Sequence, residues 1–183
     1  VIALLLGWIL SLASDAEALR RTAPAYLSYA AAVEHVAAAD LAGLAFDVDP
    51  VLLLSISHHE SRYRHDTITP ERGGKFSCGA MTPIPTYDRA ACARARASVL
   101  ASYLAGARHL REWLDTPRCR GGTGCASLGY AGGYRLIKRC ARGPVVRKRG
   151  AAQRDICRTP EVFEHRAALI RRERARARTG AGV

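Results

Sequence analysis

The chain of 183 residues carries 28 Lys and Arg against 16 Asp and Glu, a formal net charge of +12, so an anionic partner is expected: a bacterial wall, an anionic membrane or a nucleic acid. Apolar residues make up 49% and aromatics 7%, which argues against a β-sandwich and for one mainly α domain. Such a length buries a core without a stapling metal. Lysines are only three of the basic residues (Lys75, Lys138, Lys148), and neither an RNP-like run nor C2H2 spacing is present, so no nucleic acid is expected.

Residues 1–13, VIALLLGWILSLA, carry no charge and are followed by SDAEA, with small residues at Ala16 and Ala18 in the pattern that signal peptidase accepts. The first reading of residues 1–18 is therefore a signal peptide, the second a short membrane anchor, and the third a buried core helix. Membrane contact is expected only through this segment, if it stays uncleaved. A helix is expected from Ala25 to about Phe46, broken by FDVDP. Asp49 then caps a second helix that opens on Pro50 and runs through Ser61. Residues 65–79 read as loop, and Pro83 and Pro85 exclude a regular helix across GAMTPIPTY. Helical spacing returns over residues 89–114, with Val99, Tyr103 or Leu104, Ala107, Leu110 and Leu114 on one face, and TPRCRGGTGC makes a tight loop. A last basic helix is expected from a Thr159 cap and Pro160, striped by Phe163, Ala167 and Ile170 and fraying at TGAGV. Residues 159–183 thus form a basic helix and tail after a domain spanning 19–158.

Six cysteines are present, Cys78, Cys92, Cys119, Cys125, Cys140 and Cys157, and none of their spacings is C-x-x-C. Disulfides fit this set better than a metal, and pairing between neighbours is favoured: Cys78 with Cys92, Cys119 with Cys125, Cys140 with Cys157. Such bridges persist in oxidising compartments, in agreement with export to a periplasm or to the cell wall and the extracellular space.

The stretch LLLSISHHESRYRHD places Glu60 at the end of the second helix, where the helix dipole disfavours an anion. His58, His59 and His65 do not form H-E-x-x-H with it, and adjacent histidines on a helix point about 100° apart, so neither a metal nor a cofactor is expected. Three segments in order, DVDPVLLLSISHHESRY, GAMTPIPT and SLGYAGGY, resemble the soluble lytic transglycosylase domain, related in fold to goose-type lysozyme. In that family a helix ends in Glu-Ser with an aromatic two residues on, a G-L-M-Q-x-x-P-x-T segment follows, and Tyr-Asn-x-Gly comes later. Glu60, Ser61 and Tyr63 match the first segment, Gly79, Met81 and Pro85 the second, and Tyr130 and Gly133 the third. Thr82 stands in place of the glutamine, Ala80 of the leucine and Ala131 of the asparagine, and a short insertion with Cys78 precedes Gly79.

The resemblance implies a lysozyme-like fold and a catalytic Glu60, with Ser61, Gly79, Met81, Thr82, Tyr130 and Gly133 on the saccharide side. The implied substrate is peptidoglycan, cleaved at the MurNAc-GlcNAc β-1,4 bond with formation of 1,6-anhydro-MurNAc. Glycosidic cleavage needs an acid that stays protonated near neutral pH, and burial behind LLLSIS supplies the means. Most glycosidases use a second carboxylate, and Asp66, Glu71 and Asp88 are the candidates for a hydrolytic muramidase on the same fold. A third reading is a non-catalytic wall-binding component of a secretion apparatus. A basic nucleic-acid-binding role for residues 138–178 ranks last. Expected partners are glycan strands and, beyond them, cell-wall or secretion-system proteins.

Overall fold

The computed structural model describes residues 2–82, 88–149 and 152–179, and shows a mainly helical protein with two small antiparallel hairpins. Helix α1, Ile2–Thr22, lies against α2, Tyr29–Phe46, and against α7, Thr159–Arg178. Its second half belongs to the core: Ala16, Ala18 and Leu19 are fully buried, and the buried Asp15 pairs with Arg174 at 3.5 Å and Arg178 at 3.0 Å. Loss of residues 1–18 would remove Asp15, Ala16 and Ala18 from this core. No described helix is long and apolar enough to cross a membrane.

Helix α2 starts four residues later than expected, because Pro24 closes a turn with Leu27 and the Ser28 hydroxyl then caps the backbone N–H of Ala31. The central helix α3, Pro50–Ser61, has its expected bounds. Asp49 accepts from the Val51 N–H at 2.8 Å, and Pro50 sits in the first turn where its missing N–H costs nothing. Residues 51–58 are buried throughout, so α3 is buried on every side and is enclosed by α2, α7 and α5, Val99–Leu114. Two polar groups lock this core: Ser55 Oγ donates to the Phe163 carbonyl at 2.6 Å, and His35 Nδ1 meets the Tyr103 hydroxyl at 3.1 Å.

Three corrections follow from local chemistry. The expected loop of residues 65–79 contains a hairpin, β1, Ile68–Pro70, with β2, Phe76–Cys78, joined by a turn in which Gly73 and Gly74 both take positive φ. The helix expected over 89–114 is two, α4, Arg89–Arg96, and α5, since the extended Ser98 caps the N–H of Ala101 and restarts the chain. Thr159 is not the cap of α7: it lies in the first turn, donating its hydroxyl to the Ile156 carbonyl, and Arg158 holds the cap position without a side-chain bond. The stripe of Phe163, Ala167 and Ile170 on α7 is fully buried, as its spacing predicts. The expected fraying falls mainly on residues 180–183, outside the described ones. Helix α6, Thr123–Cys140, and a second hairpin, β3, Val146–Arg149, with β4, Ala152–Asp155, complete the chain between α5 and α7.

The cysteines pair with their neighbours, with Cα separations of 5.4 Å for Cys78 and Cys92, 5.2 Å for Cys119 and Cys125, and 5.4 Å for Cys140 and Cys157. Three such bridges fit an oxidising compartment. The first ties β2 to α4, the second closes the loop entering α6, and the third ties the end of α6 to the segment after β4.

Candidate active site

Helix α3 ends in two successive left-handed residues, Arg62 at φ 58° and Tyr63 at φ 68°, whose N–H groups return to the His58 and Ser57 carbonyls. This sharp stop leaves Glu60 in the last turn, half-buried. Ser61 is buried and connects the helix end to the next segment: its hydroxyl donates to the Ala80 carbonyl at 2.8 Å and accepts from the Arg64 N–H at 3.1 Å.

The segment Gly79–Thr82 is held against α5 and α6. Gly79 takes φ 85°, and a Cβ there would lie 2.5 Å from Ser102 Oγ and 2.8 Å from the Ala95 carbonyl, so conformation and space both require glycine. Met81 is fully buried, its N–H reaching Ser102 Oγ at 3.2 Å and its side chain filling the space above Gly106, which places it in the core instead of on the expected saccharide side. Tyr130 is also buried and donates its hydroxyl to the Met81 carbonyl at 2.5 Å. Its ring lies 5.2 Å from that of His109, which accepts from the indole of Trp113 at 3.2 Å. Tyr130 therefore fixes the backbone that carries Thr82, and His109 is a supporting residue that spacing did not single out.

Thr82, in a left-handed conformation at φ 38°, donates its hydroxyl to Glu60 Oε2 at 2.8 Å. The three resembling segments thus converge on one carboxyl group through Ser61, Met81, Thr82 and Tyr130. Gly133 kinks α6 at φ 66°, and a Cβ there would meet nothing within 4 Å. Pro85 lies outside the described residues.

The Glu60 carboxyl is pushed up from its ordinary value to about 7, first by burial and further by the charge of Glu71, while the Thr82 hydroxyl bond pulls the other way. Among the three candidate second carboxylates, Glu71 is the one that acts on Glu60. It sits at the tip of the first hairpin, accepting from the Ser77 hydroxyl at 3.0 Å. Asp88 caps α4 through the N–H groups of Ala90 and Ala91, and Asp66 is exposed before β1. The histidines are dispersed: His58 stands edge-on to Tyr63, His59 edge-on to Phe163, and His65 is exposed. Burial holds His58 and His59 down at about 4, so both are neutral near pH 7.

A cavity of about 550 Å³ opens beside Glu60, between the end of α3, β1, β4 and α7. Its polar lining brings together Arg62, Arg64, Arg154 and Arg166 from three separate stretches of sequence, a convergence that no local spacing signals. A second cavity, about 580 Å³, lies between α4 and α5 and does not include Glu60. The arrangement offers one carboxyl with a proton to give near neutral pH and one fixed hydroxyl donor. Searches of protein-family models, of curated proteins and of solved structures found no match to this chain.

Proposed function

We propose that the protein is an exported peptidoglycan lytic transglycosylase with a lysozyme-like fold, cleaving the MurNAc-GlcNAc β-1,4 bond with Glu60 as acid and then as base. The observation that carries this reading is the Glu60 carboxyl itself, half-buried, held by Thr82 and titrating near 7, where it serves both roles. The order of the three resembling segments supports it, and so does their meeting at one carboxyl.

In the reaction implied by the resemblance, Glu60 gives its proton to the glycosidic oxygen as the bond from C1 breaks. The N-acetyl carbonyl oxygen of the same sugar bonds to C1 and holds the positive charge. The Glu60 carboxylate then takes the proton of the 6-hydroxyl, O6 bonds to C1, and the N-acetyl oxygen leaves. The product is a 1,6-anhydro end, no water is consumed, and Glu60 is again protonated. Thr82 keeps the carboxyl in place through both proton transfers. The three disulfides agree with work in an oxidising compartment outside the cytoplasm, and the net positive charge with retention on an anionic wall. Glycan strands are the proposed partner, with cell-wall or secretion-system proteins beside them.

A hydrolytic reading is favoured by one observation, the field of Glu71 at Glu60, since a second carboxylate near the acid is what a water-activating glycosidase needs. Incubation with purified peptidoglycan and mass spectrometry of the products separates the two. Anhydro-MurNAc ends that persist in the Glu71→Gln variant are expected. Reducing ends heavier by one water, lost on Glu71→Gln, would replace the transglycosylase by a muramidase.

A further inference from the structure

The cavity beside Glu60 has an unusual charge balance. Among its described lining residues four are arginines, and Glu60 is the one acid. Elsewhere several guanidiniums are paired with carboxylates: Arg174 has Asp15 and Asp40, Arg111 has Asp47 and Asp115, Arg158 has Glu161. In the cavity, no carboxylate of the described residues lies within ion-pair distance of Arg62, Arg64, Arg154 or Arg166. The Arg64 side chain donates to the Ser61 carbonyl and that of Arg166 to the Thr22 carbonyl, while the side chains of Arg62 and Arg154 have no hydrogen-bond partner among the described residues. Like charges gathered at one concavity repel, and planar guanidiniums without a paired carboxylate are suited to bidentate capture of an oxyanion. His59 and His165 line the same space and add ring N–H donors.

We propose that this cavity is an anion subsite that takes a carboxylate of the substrate, the stem-peptide carboxylate of a muramyl residue or, where the peptide is absent, its lactyl carboxylate, either of which a plain N-acetylglucosamine lacks. The identity of the ligand rests on the glycosidase reading; the anion chemistry does not. The site gives the enzyme a way to choose between the two alternating sugars, since the sugar that bears the carboxylate is drawn to the side of Glu60 where the arginines stand. A bound carboxylate there also places a negative charge beside Glu60, which favours the protonated acid needed for the first step.

The test is binding followed by kinetics on the full chain. N-acetylmuramic acid, a muramyl dipeptide, N-acetylglucosamine and inorganic phosphate are titrated by calorimetry, with the imidazole resonances of His59 and His165 followed by NMR. The muramyl ligands are expected to bind at least about tenfold more tightly than N-acetylglucosamine, with that margin lost in Arg62→Gln and Arg154→Gln. Both arginines are exposed, so their variants are expected to fold. On peptidoglycan the variants are expected to raise KM about tenfold with kcat within about twofold, as for lost uniform binding. Equal binding of the two sugars, or arginine variants that bind as the wild type does, would overturn the subsite. Tighter binding of phosphate than of either muramyl ligand would overturn the carboxylate assignment. Carboxylate binding by a protein that cleaves no peptidoglycan would leave the subsite standing and remove the transglycosylase reading.

Discussion

Glu60 combines two properties that a single substitution separates. Glu60→Gln keeps the shape and removes the titrating proton, so peptidoglycan cleavage is expected to fall at least about a hundredfold, measured as released muropeptides. The same change acts on stability with the opposite sign. The folded carboxyl titrates at about 7, above its ordinary 4.5, so its favourable contribution is full below pH 4.5 and is lost as pH rises to 7. Glu60→Gln is therefore expected to melt higher than the wild type above pH 7, with the gap closing below pH 4.5; an equal gap at every pH would mean that Glu60 titrates normally. Thr82 stabilises the ionised form through its hydroxyl. In Thr82→Val the carboxyl loses that donor, and the alkaline limb of the activity profile is expected to move upward in pH. A downward move would show that Thr82 favours the neutral acid. Thr82 thus keeps a polar group on the Glu60 carboxyl.

At the scale of elements, the disulfides divide the loops that surround the helical core. Their sequence separations are 17 for Cys140–Cys157, 14 for Cys78–Cys92 and 6 for Cys119–Cys125. Closing a longer loop removes more entropy from the unfolded chain, so each bridge is expected to contribute about 2 to 4 kcal/mol, with the longest exceeding the shortest by about 1 kcal/mol. Pairwise Cys→Ala variants unfolded in urea measure this order, and an inverted order would assign the stabilisation to native packing instead. The bridge to Cys157 also anchors the strand that carries Arg154, whereas the bridge from Cys78 anchors the hairpin that carries Glu71. Both hairpins lie outside the helical pattern that the chain advertises. The first was hidden because Pro70, Gly73 and Gly74 read as loop residues, although the short strands around them carry Ile68 and Phe76.

For the whole molecule, acid is the sensitive side. His35, His58 and His59 are held at about 4 by burial, so unfolding between pH 6.5 and 4 lets three imidazoles take up protons that the folded state refuses. Glu60 opposes them with one proton that the folded state already binds in much of that range. Stability is expected to fall as pH drops from 6.5 toward 4.5, with a net uptake of protons on unfolding, read from the slope of unfolding free energy against pH. A melting temperature that rises on acidification through this window would contradict the burial of these imidazoles. Ion pairs also tie α7 to α1: Arg174 and Arg178 hold the buried Asp15 of α1, so the first and last helices are joined by one polar lock.

The helices were legible before any coordinates because their signals are local. Asp49 followed by Pro50, the apolar run Val51–Leu54, and the spacing of Phe163, Ala167 and Ile170 each act within a few residues, where backbone geometry alone sets the outcome. The neighbour pairing of the cysteines was open to the same reasoning, since short loops close at low entropic cost. The surroundings of Glu60 were not. Burial by other elements raises its carboxyl, Thr82 reaches it across the turn that follows β2, and the cavity joins residues 62, 64, 154 and 166. Met81 and Tyr130 likewise turned inward to support the segment that carries Thr82. Desolvation and charge convergence depend on distances between segments remote in sequence, and those distances exist only once the helices have packed.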